Sequence, residues 1–114
     1  MESMEQRLDG YHWVHTINNA EVVTAALLWG EGNFSRTIGL AVEAGLDTDC
    51  DGATAGSAFG ALHGTSSIPR HWTDPLRDTM HSALLGFDGV SITSLARRTT
   101  ALAAALPPGP DLKK

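Results

Sequence analysis

The chain has 114 residues, enough for one small domain, and 42% of them are hydrophobic, which allows a modest core. A formal charge of −5 argues against a nucleic-acid-binding protein, because such proteins normally present a basic face. The sequence has no apolar run of roughly 18 residues, no signal peptide and a single cysteine, so we expect a cytoplasmic protein with no membrane partner.

The first half of the chain predicts two helices. Asn18 or Asn19 can cap the first helix, because asparagine side chains accept hydrogen bonds from free backbone N–H groups, and Gly30 ends it. The second helix is predicted over residues 35–44, and Gly45 follows in the position that favours a left-handed backbone.

The second half predicts two further helices with a less regular segment between them. One helix is expected over residues 51–63, and residues 74–87 form a short amphipathic helix or an irregular segment. The last helix, over residues 94–106, is rich in strong helix formers and is capped by Ser91 or Thr93. The class is therefore all-α.

The chain is predicted to contain one domain, because no change of composition divides it. This domain covers residues 11–106. A flexible lead over residues 1–10 precedes it, and a tail over residues 107–114 follows it, beginning with the helix-breaking sequence PPGP.

Glycines recur at every fourth position along one predicted helix, at Gly52, Gly56, Gly60 and Gly64. A glycine inside a helix costs about 1 kcal/mol relative to alanine, so the stripe needs a reason. Spacing of four places these residues on one nearly flat face, which predicts close packing against another helix. An exposed face of this kind would favour self-association, so a homodimer is also an expectation.

Three aspartates, Asp47, Asp49 and Asp51, stand at alternate positions before the glycines. An EF-hand loop is excluded, because its twelfth position requires glutamate and is Ala58 in this chain. Two explanations remain open. The aspartates cap a helix and complement its dipole, or they bind a hard cation such as Mg²⁺ or Mn²⁺ that neutralises their mutual repulsion.

The sequence GLDTDCDGATAGSAFGALHG, followed by IPRHW, resembles the second metal-binding motif of the ADP-ribosylglycohydrolases, the family that includes the dinitrogenase reductase-activating glycohydrolase. That motif consists of a glycine, D-T-D with a small hydroxyl or thiol residue, a glycine- and alanine-rich helix, and I-P-x-x-W. The upstream sequence WVHTINNAEVVTAALLWGEGNFSRTIGLAVEAG is similar as well, so the resemblance covers residues 11–105.

The resemblance implies an all-α, orthogonal helical bundle that cleaves the C1″ glycosidic bond of ADP-ribose conjugates with two Mg²⁺ or Mn²⁺ ions. By position, Asp47 and Asp49 would be metal ligands, and Cys50 stands where better-known members have a ligating threonine or serine. Asp51 has no ligand counterpart and is interpreted as a charge at the helix N-terminus. His15 and Asn18 are expected to line the ligand cleft.

The resemblance also implies that part of the active site is missing. The family's first ligand group, a T-D-D run, and its general base lie in an N-terminal half, and this sequence has no T-D-D. We therefore expect the C-terminal portion of such an enzyme, active within a longer or split protein, with an N-terminal half in trans as one partner. The expected substrate is an ADP-ribose-containing small molecule or an ADP-ribosylated protein, and no catalytic residue is predicted. The alternative is a non-catalytic remnant or ligand-binding module with an incomplete metal site.

Overall fold

The computed structural model describes residues 12–107, and the predicted all-α class is confirmed. The described part contains five α-helices: α1 (Thr16–Trp29), α2 (Phe34–Glu43), α3 (Thr48–His63), α4 (Arg70–Thr73) and α5 (Ile92–Ala105). Short 3₁₀ turns cover Thr65–Ser67 and Asp74–Leu76, and two two-residue strands, β1 (Thr79–Met80) and β2 (Val90–Ser91), pair in antiparallel fashion. None of the helices within residues 12–107 has the length and apolarity needed to cross a bilayer.

Contacts between residues form two compact units, which divide between Pro69 and Arg70. The described parts of these units are residues 12–69 and 70–107. The predicted flexible lead over residues 1–10 lies outside the described residues, as does the predicted tail apart from its first residue. The predicted domain over residues 11–106 stays a prediction.

In the first unit, α1, α2 and α3 each pack against the other two. The fully buried apolar cluster consists mainly of small side chains, Val22, Ala26, Ala41 and Ala55. Phe59 is also buried, and its ring meets that of Phe34 edge-on, with 5.4 Å between the ring centroids. Because the contacting side chains are small, the three helix backbones lie close together.

The first helix begins at a different residue from the predicted one. α1 starts at Thr16, because the ring Nδ1 of His15 accepts the hydrogen bond from the backbone N–H of Ile17, 3.2 Å away. Asn18 and Asn19 therefore lie inside the helix. This leaves their side chains available for contacts with other parts of the unit.

The glycine face of α3 packs closely, as the four-residue spacing predicts. Gly52, Gly56 and Gly60 face Val42, Ile38 and Ile68 respectively. A Cβ atom at Gly56 would lie only 3.2 Å from Ile38 Cδ1, tighter than ordinary van der Waals contact. Residues of this unit therefore contact the glycine face, and the homodimer expected from an exposed glycine face stays a prediction.

Gly30, after the end of α1, must be a glycine because other atoms of the unit approach its backbone even more closely. A Cβ atom there would overlap the Thr37 hydroxyl and lie 2.6 Å from the carbonyl oxygen of Ala26. Thr37 is fully buried and donates its hydroxyl to the carbonyl oxygen of Asn33 at 2.9 Å. Gly30 thus allows α2 to pack against the end of α1.

The second unit is organised by the carboxylate of Asp78. Its Oδ1 accepts from both the backbone N–H and the hydroxyl of Thr93, each at 2.8 Å, and its Oδ2 accepts from the Ser91 hydroxyl at 2.6 Å. Ser91 also caps α5 by accepting from Ser94 N, so its predicted capping role is confirmed. After its first 3₁₀ turn the segment 74–87 contains β1 and no helix, and none of residues 70–107 is fully buried.

Candidate metal centre

The start of α3 brings together the three residues predicted to bind a metal. These residues, Asp47, Asp49 and Cys50, form the acidic cluster. One ligand atom from each of them lies within 4.8 Å of the others. Asp47 is at the N-cap position and is buried, whereas Asp49 and Cys50 are exposed. Gly45, with a φ of 71°, turns the chain from α2 into this segment and adopts the predicted left-handed conformation. The helix N-terminus partly stabilises the negative charges gathered there.

The carboxylate of Asp47 is held from the neighbouring helix. Asn19 on α1 donates its side-chain Nδ2–H to Asp47 Oδ2 at 3.1 Å. This bond, followed by the one from the Cys50 thiol, lowers the pKa of Asp47 below its ordinary value, so the carboxylate is ionised at neutral pH. The sequence predicts Asn19 only as a candidate helix cap, and nothing in its local pattern predicts the contact with Asp47.

Cys50 is the softest of the three groups and the least suited to Mg²⁺. Its thiol donates to Asp47, and this bond, together with the negative charge of Asp47, raises the pKa of Cys50 above its ordinary value. A thiol binds metals as the thiolate, which is therefore scarce at neutral pH. Asp47 and Asp49 are the groups through which a hard cation would be held.

Asp51 lies in the first turn of α3, as predicted, but its side chain is not a solvated helix charge. The residue is only 1% exposed and lies on the buried face that α3 also forms with Ala55 and Phe59. Neither of its carboxylate oxygens has a hydrogen-bond partner within residues 12–107. Burial, and then the negative charges of Asp47 and Asp49, raise the pKa of Asp51.

The two residues predicted to line a ligand cleft have structural contacts at the start of α1. His15 is half-buried and caps the helix. Asn18 is fully buried and donates its Nδ2–H to the carbonyl oxygen of His12 at 3.2 Å. A ligand contact by either residue stays a prediction, and it is Asn19 that touches a predicted metal ligand.

The donor set fits a hard divalent cation bound from one side. Mg²⁺ and Mn²⁺ prefer carboxylate oxygens and take about six ligands, more than these residues supply. The buried carboxylate of Asp47 and the exposed one of Asp49 provide the charge, and the buried, unpartnered oxygens of Asp51 lie one helical turn beyond Asp47. The other ligands would be water, substrate or residues of another polypeptide segment.

Known proteins match the chain over most of its length. The family model described as ADP-ribosylglycohydrolase matches residues 1–108. The ADP-ribosylarginine hydrolase Tri1 of Serratia proteamaculans (strain 568) is 40% identical over 72 residues, which are 63% of this chain and 18% of that protein. The ADP-ribosylarginine hydrolase Tri1 of Pseudomonas putida (strain GB-1) is 36% identical over 63 residues, 54% of this chain and 17% of that protein.

Each match therefore involves less than a fifth of the length of the curated relative. No solved structure shows significant similarity to the chain. The family match nevertheless includes the acidic cluster, the glycine helix and most of the residues that follow them. The chain therefore belongs to the ADP-ribosylglycohydrolase family.

Proposed function

We propose that this chain contributes one half of a divalent-metal site to a hydrolase that cleaves the C1″ glycosidic bond of ADP-ribose conjugates. The convergence of Asp47 and Asp49 at the start of α3, in a chain of this family, is the observation that carries the proposal. The names of the two Tri1 relatives favour an ADP-ribosylated arginine as the substrate. Mg²⁺ and Mn²⁺ are the proposed ions, because both prefer oxygen ligands.

The residues of this chain would bind and orient rather than transfer protons. Asp47 and Asp49 would hold the cation from the α3 side, and Asn19 would keep the Asp47 carboxylate in a fixed orientation. A cation bound there would orient the ribose hydroxyls and the attacking water while charge develops at C1″. The general base that takes the proton from this water would come from the half of the family fold that carries T-D-D.

Exposed apolar side chains in the first unit support a partner that completes the fold. Leu28 is 70% exposed, Trp29 57% and Leu62 76%, so this unit offers large apolar side chains that a partner could cover. The chain also aligns with less than a fifth of each relative. We propose that the remaining part of the family fold, supplied in the same polypeptide or in trans, covers these side chains.

The first test is calorimetric titration of Mg²⁺ and Mn²⁺ into the full chain and into the double variant Asp47→Ala/Asp49→Ala. We expect binding by the wild-type chain and none by the double variant. Glu43→Gln is the control, because it removes an exposed carboxylate from α2, outside the acidic cluster. Equal binding by all three proteins would refute the proposed site.

The second test measures release of ADP-ribose from ADP-ribosyl-arginine, by the chain alone and with the N-terminal segment of a Tri1 relative added. Activity that appears only in the mixture would support a shared active site.

The alternative function, a ligand-binding module, is favoured by the small ligand set, since within residues 12–107 only one group of three possible metal ligands occurs. Metal binding without hydrolysis in either arm would establish that alternative.

A further inference from the structure

Four buried side-chain atoms in the first unit have no hydrogen-bond partner, and all four are oxygens. Within residues 12–107 they are Oδ1 of Asn18, Oδ1 of Asn19 and both carboxylate oxygens of Asp51. Buried polar atoms normally have a partner, because leaving one unpaired costs about 1–3 kcal/mol. All four atoms are hydrogen-bond acceptors. The partner that they lack is therefore a hydrogen-bond donor or a positively charged group.

The identity of these oxygens is set by the bonds of the amide nitrogens. Asn18 Nδ2 donates to the carbonyl oxygen of His12, and Asn19 Nδ2 donates to Asp47 Oδ2. Each asparagine therefore has its donor in use and its acceptor free. Exchanging oxygen and nitrogen in either amide would place two acceptors against each other.

These atoms lie at the end of the unit that carries the acidic cluster. Asn19 touches Asp47 directly, and Asn18 precedes it on α1. Asp51 is one helical turn beyond Asp47, and its backbone N–H donates to the carbonyl oxygen of Asp47 at 2.8 Å. The exposed cluster is thus backed by a buried carboxylate.

We propose that Asp51 belongs to the cation site as a third carboxylate, on the buried side of Asp47, and that a bound divalent cation supplies the partner that its oxygens lack. This inference rests on the proposed metal-dependent function and adds a residue to it. A buried carboxyl group whose two oxygens have no partner is unfavourable. A divalent cation such as Mg²⁺ or Mn²⁺ removes that penalty, so Asp51 would couple cation binding to the stability of the helix bundle.

The test is the nearly isosteric variant Asp51→Asn in the full chain, studied by thermal unfolding and by Mn²⁺ titration at neutral pH. Without metal, the variant is expected to melt several degrees higher than the wild-type chain, because an amide replaces a buried carboxyl group whose two oxygens have no partner. Its affinity for Mn²⁺ is expected to fall roughly ten- to hundredfold, as is usual when a group supporting a metal site is lost. These opposite changes distinguish a carboxyl group that serves the cation from a merely structural residue.

Asp49→Asn is the matched control, because Asp49 belongs to the same cluster but is exposed. It should lower the affinity for Mn²⁺ without raising the melting temperature of the metal-free chain. Asp51→Ser provides a second neutral side chain and should behave as Asp51→Asn does.

Wild-type affinity for Mn²⁺ in both Asp51 variants would overturn the inference, and so would a lower melting temperature of metal-free Asp51→Asn. If Asp47→Ala abolishes binding while Asp51→Asn leaves it unchanged, only the role of Asp51 fails and the proposed metal site stands. If the wild-type chain binds neither Mn²⁺ nor Mg²⁺, the inference and the proposed metal site fail together.

Discussion

The side-chain amide of Asn19 donates to Oδ2 of Asp47, 28 residues later in the chain, over a distance of 3.1 Å. This bond joins the first turns of α1 and α3. It restrains one carboxylate of the acidic cluster. The Asp47 side chain is therefore already ordered before a cation binds. A rigid ligand loses less conformational entropy on binding, and the partners that orient metal ligands contribute measurably to affinity.

Asn19→Ala is therefore expected to lower the affinity for Mn²⁺ by roughly tenfold or more, because Asp47 loses the group that orients it. Titration calorimetry on the full chain measures the effect, and Asn19→Ser, which can still donate, should recover part of it. Asn33→Ala is the matched control, because Asn33 caps α2 by accepting from Arg36 N at 2.9 Å and has no contact with the cluster. That variant should lose about 0.5–2 kcal/mol of stability and retain its metal affinity. Equal losses of affinity in the two alanine variants would contradict an orienting role for Asn19.

Gly30→Ala is expected to destabilise the first unit by about 1–3 kcal/mol, because the new methyl group overlaps the Thr37 hydroxyl and the Ala26 carbonyl oxygen. Gly39→Ala is the opposite case, since within residues 12–107 no atom beyond its neighbours along α2 lies within 4 Å of its Cβ position, and the residue is exposed inside α2. It should stabilise the chain by about 0.4–1 kcal/mol. Urea unfolding followed by far-ultraviolet circular dichroism measures both changes, and a stabilising Gly30→Ala would show that α1 and α2 are not in close contact there.

Asp78→Ala is expected to loosen the start of α5, because it removes the acceptor for the Ser91 hydroxyl and for both donors of Thr93. Amide hydrogen exchange along α5 should become faster, most strongly in its first turn. Asp74→Ala is the control, because among the described residues its carboxylate makes only a long, exposed contact of 3.4 Å with Arg70. Unchanged exchange in Asp78→Ala would show that Ser91 alone caps the helix.

The same carboxylate makes the second unit sensitive to acid. Hydrogen bonds from Ser91 and then Thr93 lower the pKa of Asp78 below its ordinary value of 3.8, so the folded unit favours the ionised form. The stabilisation is fully present above the ordinary pKa and is lost as the pH falls through the lower pKa of the folded state. Hydrogen exchange of α5 should therefore stay constant from pH 7 to about pH 5, after correction for the intrinsic rate, and rise at more acidic pH. In Asp78→Asn this acid-dependent part should be reduced.

Features governed by local sequence could be predicted, and those governed by helix register could not. The left-handed glycine after α2 and the serine cap of α5 both follow from short-range rules. The start of α1 was wrong because asparagine and histidine can both supply a capping acceptor, and propensity favours asparagine. Tertiary contacts decide which of them caps, since the asparagines are needed inside the unit.

The burial of Asp51 shows the same limit at the site. With α3 starting at residue 51, as predicted, Asp51 would be a solvated first-turn charge. Because α3 starts at Thr48, Asp47 and Asp51 are one turn apart and share a face with Ala55, which packs in the core. A shift of three residues in a helix start thus changed an expected surface charge into a buried one.

The position of Cys50 has a practical consequence for studying this chain. It is the only cysteine in the sequence, and it is exposed within the acidic cluster. A thiol-reactive fluorophore would therefore attach at one position, beside the proposed metal, without any engineered residue. Because the pKa of the thiol is raised, labelling calls for mildly alkaline buffer, where the reactive thiolate is more abundant. Protection of this thiol from alkylation by added Mn²⁺ would give a direct optical or mass-spectrometric readout of cation occupancy.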